Sequence, residues 1–177
     1  MPVNMKNIIA EAFLKMAKKK GIDKITVKAL IEECNISRQT FYYHFRDIME
    51  VIEWTIEHAV DLMLARSLET ETPREAIEIL LSSTMENRIL IRKMMDSQKR
   101  SEIEKLFVQS LRTYLQKMVT TKKKDIPLNY SDMEIVLDFW SFGLSGMLFK
   151  CCELEEIDAK NLADQICCLF PDDIEER

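Results

Sequence analysis

Glycine and proline are scarce in this chain, at three and four of 177 residues. Their scarcity excludes a collagen-like repeat and a glycine-rich linker, and leaves few places where a helix has to stop. There is no glycine loop able to cradle a phosphate, and no nucleophile motif. Of the two histidines, neither His44 nor His58 stands at a recognisable spacing from an acid or a thiol, so no catalytic residue and no cofactor is implied. The five cysteines show neither zinc-site spacing nor an extracellular disulfide framework, which points to a reducing compartment and no metal. In the doublets Cys151-Cys152 and Cys167-Cys168, adjacent thiols point in different directions on a helix. Packing is their first reading, and redox or metal sensing the second. The N-terminus reads as an amphipathic helix rather than a secretory leader. Apolar runs are expected to fall short of a membrane span, so the chain is expected in the cytoplasm with no membrane partner.

What is abundant is Leu, Ile, Met, Lys and Glu, which favours helix, and the expected fold class is all-α. Ile8, Ile9, Ala12, Phe13, Met16 and Ala17 form one stripe over residues 4–20, with Gly21 able to end that helix. A longer helix begins at Asp47-Ile48-Met49-Glu50 and runs to about Leu68. Thr72-Pro73-Arg74-Glu75 has the features of a helix start, namely a cap, a proline at the first position and a capping-box glutamate. Helical pattern then continues to about Met95 with a break near Glu86-Asn87, and again from Ser101 to Thr120. Lys122 to Pro127 reads as a loop. Ser131-Asp132-Met133-Glu134 reads as a second capping box opening a helix to Cys152, and a last helix runs from Asp158 to just before Pro171.

Residues 21–46 carry the chemistry. Thr26 is placed to cap a short helix whose inner face is Val27, Leu30, Ile31 and Cys34. Asn35 stands where the chain reverses and tolerates a left-handed backbone. Ser37 caps the next helix, in which Phe41 and Phe45 anchor inward while Arg38, Gln39, Thr40, Tyr42 and His44 stay largely outward. Two short helices around a tight turn, the second opening on polar and cationic groups, place side chains in the DNA major groove. Such hairpins also serve as plain packing units.

The charge balance fits a DNA-binding head. The net charge of −5 divides unevenly: residues 1–50 hold nine Lys/Arg against six Asp/Glu, and the remainder 16 against 24. A basic head on an acidic body is expected when only one end meets phosphate.

The first 55 residues or so resemble the N-terminal domain of the TetR/AcrR family of bacterial regulators. The likeness lies in the amphipathic first helix, Gly21, Ile25-Thr26-Val27, Ile36-Ser37-Arg38 and Thr40-Phe41-Tyr42-Tyr43-His44-Phe45. Asn35 stands where Gly is common, Ile31 where a small residue is common, and Ile48 where many members have a phosphate-reaching lysine. The resemblance implies a helix-turn-helix domain over residues 1–46 and a helical effector-binding and dimerisation domain over 47–177. It also implies a homodimeric repressor on a palindromic operator in double-stranded DNA. By resemblance and side-chain chemistry, Arg38, Gln39 and Thr40 are expected at bases and Thr26, Lys28, Tyr42, Tyr43 and His44 at the backbone, with Ser37 also expected among the DNA-binding residues.

The body is less specific. Trp54, Met63, Met94, Phe107 and Tyr114 are candidates to line an effector site, though the same residue types fill cores. The helix opened at Ser131 is apolar nearly all round and so is covered on all sides. The resemblance implies that its Phe139, Trp140, Phe142, Gly143 and Met147, with Leu162 and Ile166 of the last helix, form a dimer interface; a fully buried central helix of a monomer is the other reading. A weaker likeness of Phe45-Arg46-Asp47 and Ile52-Glu53-Trp54 to regulators of dihydroxyacetone-kinase operons leaves a second possibility open. There the body docks a partner protein rather than a small molecule.

Overall fold

A computed structural model describes residues 4–122 and 129–169. Nine helices are present among them: α1 (Met5–Lys20), α2 (Val27–Cys34), α3 (Arg38–His44), α4 (Ile48–Leu68), α5 (Pro73–Glu86), α6 (Arg88–Met95), α7 (Arg100–Lys122), α8 (Tyr130–Glu153) and α9 (Ala159–Cys167). The all-α expectation holds. Phe170 and the expected loop residues Lys123 to Pro127 lie outside the described residues.

Local chemistry sets most of the helix ends. Gly21, at φ +78°, closes α1 with its N–H on the Ala17 carbonyl. The Thr72 hydroxyl and the Glu75 carboxylate form the expected reciprocal box at α5, and the Asp158 carboxylate caps α9. The start of α8 differs from expectation. Asn129, two residues before Ser131, is the cap: its Oδ1 accepts from the Asp132 N–H at 2.9 Å, while its Nδ2 donates to the Asp132 carboxylate at 2.8 Å. Asn caps at least as well as Ser, and taking the earlier position adds half a turn of helix.

The chain forms two compact units, Met1–His58 with Ile89–Leu106, and Ala59–Arg88 with Phe107–Arg177. The expected division at residue 46 followed the end of the helix-turn-helix motif, but the first unit runs on through the first half of α4 and takes in α6. Its core is Ile9, Phe13, Leu30, Phe41, Phe45, Val51, Ile52, Met94 and Ile103, all 2% exposed or less. Two polar contacts bring the returning segment home. Lys93 Nζ donates to the Lys18 carbonyl, and the Gln98 N–H donates to the Asp23 carboxylate at 3.2 and 3.3 Å.

In the second unit, α5 packs against α8 and α9. Leu64, Ile77, Leu80, Leu81, Leu111, Tyr114, Leu144, Cys151, Ala163 and Ile166 form its core. Arg74 pairs with Asp164, tying α5 to α9, and Arg112 bonds both Asp138 and Glu134, tying α7 to α8. Contrary to expectation, α8 is long and apolar enough to cross a membrane, with a mean hydropathy of 1.4 over its most apolar window. Its apolar residues are broken by single polar ones, so no unbroken run is long although the helix as a whole is apolar. Within the unit its Leu137, Ser141, Leu144, Ser145, Cys151 and Cys152 are buried.

Candidate nucleic-acid interface

Helices α1 and α2 pack together, and α2 packs on α3. Side-chain caps set the start of both short helices. Thr26 Oγ1 accepts from the Ala29 N–H at 3.2 Å, and Ser37 Oγ accepts from the Thr40 N–H at 3.0 Å. Between them Asn35 adopts the left-handed conformation, φ 50° and ψ 47°, which Asn accepts at lower cost than most residues. Burial of Leu30 on α2 and of Phe41 on α3 orients the hairpin. Phe41 and Phe45 lie ring to ring at 6.2 Å.

With that face inward, the opposite stripe of α3 is exposed: Arg38, Gln39, Tyr42 and Tyr43. Tyr43 is 83% exposed and Tyr42 45%. The Arg38 guanidinium lies 5.4 Å from the centroid of the Tyr42 ring, a cation–π contact that preorganises both. Arg38 is exposed and has no ion pair among the described residues, so no carboxylate competes for its five N–H donors. Thr40 and His44 are only half exposed. The Thr40 hydroxyl already shares a hydrogen with Ser37 Oγ at 2.8 Å, and the His44 ring meets Tyr43 edge to face. Thr26 and Lys28 are exposed at the start of α2, Lys28 in a loose 3.9 Å pair with Glu32. All nine expected DNA contacts therefore lie on α2, α3 and the residues capping them.

The junction after α3 adds contacts that the sequence pattern does not announce. Glu50 accepts from the Arg46 N–H at 2.6 Å and from its Nε at 3.1 Å, while Asp47 caps α4 through the Glu50 N–H. The backbone N–H of Arg46, its guanidinium and Lys6 all hold the Glu50 carboxyl below the usual range. Lys6 sits 5.1 Å from the Phe45 ring centroid. Arg46 was legible as a charge beside an acidic helix start, but nothing in the spacing of α1 places Lys6 here.

The effector candidates divide between the units. Trp54 and Met94 fall in the first, where Trp54 stacks on His58 at 4.8 Å and meets Phe45 edge-on and Met94 is core. Met63, Phe107 and Tyr114 fall in the second. Of the dimer candidates, Phe139 and Phe142 are 70% and 66% exposed and Met147 is exposed. Ile135, exposed at 65%, continues the same stripe. A Cβ added at Gly143 or Gly146 would meet nothing within 4 Å. Trp140 and Leu162 pack against the second unit's core, and Ile166 is part of it, so Ile166 has little surface left to offer a partner. Among the described residues no group of three His, Cys, Asp or Glu is placed to hold a metal ion. Burial raises the thiols of Cys151 and Cys167, the opposite of what a reactive thiolate needs.

Residues 8–53 match the family described as bacterial regulatory proteins, tetR family, and residues 71–169 match the transcriptional regulator C-terminal region. The chain is similar to the HTH-type dhaKLM operon transcriptional activator DhaS of Lactococcus lactis subsp. lactis (strain IL1403), with 25% identity over 127 residues, 72% of this chain and 67% of that protein. Among solved structures, the dihydroxyacetone kinase operon activator DhaS has a TM-score of 0.66 at 20% identity, with 94% of each chain covered. Lin0861 from Listeria innocua has a TM-score of 0.72 at 17% identity, covering 94% of this chain and 93% of that one. At such identities the structures speak for the fold alone. With its two matches spanning the helix-turn-helix and more than half of its length, the chain belongs to the TetR family of bacterial transcriptional regulators.

Proposed function

We propose that the chain acts in the cytoplasm as a homodimer that reads a palindromic operator with α3 in the major groove. The observation that carries this reading is the exposed stripe Arg38, Gln39, Tyr42 and Tyr43 opposite buried Phe41 and Phe45. Arg38 suits the paired acceptors of guanine, and Gln39 the acceptor and donor of adenine. Thr40 is the third base-facing candidate. Thr26, Lys28, Ser37, Tyr42, Tyr43 and His44 hold the backbone and so position the reading helix. Dimerisation is required because two heads one helical turn apart read the two half-sites. The exposed Ile135, Phe139, Phe142 and Met147 on α8 support an interface there.

A ligand in the second unit, with Met63, Phe107 and Tyr114 as the first candidates to touch it, modulates DNA affinity by binding one state of the dimer more tightly than the other. Occupying a promoter represses, and that is the direction assigned first. The Lactococcus relative, named as an operon activator, favours a second reading, in which the acidic second unit docks a partner protein and binding activates. No catalytic role is assigned.

The test is binding to a duplex of the chain's own upstream region, beside a scrambled duplex, across a salt series. Selective, salt-dependent binding is expected; equal weak binding to both would sink the reading. A reporter fused to the bound promoter, with and without the chain, separates repression from activation.

A further inference from the structure

Outside the helix-turn-helix motif, the first unit gathers cations from two segments far apart in sequence. The loop after α1 and the loop between α6 and α7 meet where Asp23 accepts the Gln98 N–H, and Lys93 donates to the Lys18 carbonyl beside it. These bonds bring Lys18, Lys19, Lys20 and Lys24 to one side of the contact and Lys93 and Lys99 to the other. None of the six forms an ion pair among the described residues. Of the carboxylates on these two segments, Asp23 is engaged with Gln98, while Asp96 on the α6–α7 loop and Glu102 in the first turn of α7 are exposed. Glu33 feels Lys19 and Lys20, but it is bonded to Lys15 at 2.7 Å.

The balance of charge follows this arrangement. Residues 89–106 contain five Lys/Arg against three Asp/Glu, so with residues 1–58 the first unit holds fourteen against eleven, while the second holds eleven against nineteen. The segment that returns to the DNA-binding head is thus basic like the head and unlike the body from which it returns. Collected like charges repel one another, and a polyanion that displaces their counterions relieves that repulsion.

Resting on the DNA-binding reading above, we infer that this surface is a second DNA contact, made to phosphates of the duplex flanking the half-site that α3 reads. Lys24 lies two residues before Thr26, the cap of α2, so the cluster begins beside the motif's own backbone contacts. The contact is to phosphate alone: ammonium groups without a fixed fork geometry supply affinity and salt dependence but no base reading.

The experiment uses the whole chain on the bound upstream region in two lengths, one trimmed to the nuclease-protected core and one extended by about ten base pairs, roughly one helical turn, on each side. Lys24→Ala with Lys99→Ala is expected to weaken binding to the long duplex about tenfold and to lower its salt slope by about two, near one per lost phosphate contact. On the trimmed duplex the change is expected to stay under about twofold. Lys24→Arg with Lys99→Arg should restore both values. Lys150→Ala with Lys160→Ala, exposed in the second unit, should change neither. No loss on either length, equal losses on both, or the same loss from the Lys150 and Lys160 pair would overturn the flank contact, and an acidic protein as occupant gives the first of these results. Failure of the unaltered protein to prefer its upstream region over a scrambled duplex would instead remove the DNA-binding reading itself.

Discussion

Tyr114 donates its phenolic hydrogen to Ser67 Oγ at 2.8 Å inside the core of the second unit, where the two residues are 4% and 0% exposed. A phenol in an apolar core needs a partner, and here the partner is a serine more than one helix away in sequence. Burial raises the Tyr114 hydroxyl above its ordinary value while the Ser67 bond opposes that rise, so the phenol stays protonated across the neutral range. Tyr114→Phe keeps the ring and removes the donor. The expected cost is about 1–2 kcal/mol, read as a lower urea midpoint with an unchanged m-value. With Ser67→Ala added, the two costs should sum to less than their separate values, because they break one bond. Full additivity would show that the contact carries no stability.

The caps at Thr26 and Ser37 predict a separation of stability from function. Each Ala substitution leaves one amide of a short helix unsatisfied and should cost about 1 kcal/mol. Ser37→Ala acts on a helix of seven residues that has little else at its start, and it also frees the Thr40 hydroxyl from its 2.8 Å partner. DNA affinity should therefore fall more for Ser37→Ala than for Thr26→Ala at equal thermal shift. Calorimetric melting and anisotropy titration on the same preparations check this, and equal losses of affinity would contradict it.

These caps show which parts of the fold were legible in the sequence. A cap is local: hydroxyl, amide and periodic run lie within four residues, so Thr26, Ser37 and Thr72 could be read directly as caps. Asn129 was missed because two acceptable caps stood two residues apart. The exposed stripe of α3 followed from the four-residue spacing of Phe41 and Phe45. What could not be read was non-local. Nothing in the pattern near Asp23 announces Gln98, and nothing near Phe45 announces Lys6. Trp54 and Met94 were chosen by residue type, which is the same for a pocket and a core, and both lie in the first unit.

The α8 stripe predicts an obligatory association. Ile135, Phe139 and Phe142 recur at helical spacing and are exposed in the single chain, as is Met147 further along, while Leu137, Ser141 and Leu144 on the other face are buried. Phe139→Asp with Phe142→Asp places two charges on the exposed face without touching the second unit's core. Sedimentation at micromolar concentration should then report a monomer where the unaltered chain gives a dimer, with helical circular dichroism retained. A monomeric unaltered chain would end the dimer assignment, and so would an unchanged dimer in the variant.

Acid should loosen the helix starts and cross-ties before it exposes the core. Glu75 is held below its ordinary range by the Glu71 and Thr72 amides, Glu50 by the Arg46 amide, and Asp164 by Arg74. For a carboxylate depressed in the folded state, the unfolded chain binds protons first. The stabilisation is therefore complete above the ordinary carboxylate range and is lost as pH falls through the depressed folded values. Melting temperature should be flat from pH 8 to about 5 and decline below about 4.5, near the ordinary glutamate value. Glu50→Gln with Glu75→Gln should shallow that decline, and an unchanged acid limb in this variant would remove these carboxylates as its cause.

Arg38 and Lys28 separate base reading from backbone holding. Arg38 is exposed at the start of α3 with its guanidinium over Tyr42 and has no acidic partner among the described residues. Lys28 is a loosely paired cation at the start of α2. If Arg38 forks onto a guanine, Arg38→Ala should cost about 1–3 kcal/mol on the cognate duplex and much less on one changed at that base pair, so discrimination collapses at that position. Lys28→Ala should instead weaken binding to all duplexes alike and reduce the salt slope by about one. Competition binding over a library of singly substituted duplexes measures both at once. A uniform loss from Arg38→Ala would move that residue to the phosphates and leave Gln39 as the principal reader of α3, because the Thr40 hydroxyl is already tied to Ser37 and the Tyr42 ring is covered by the same guanidinium.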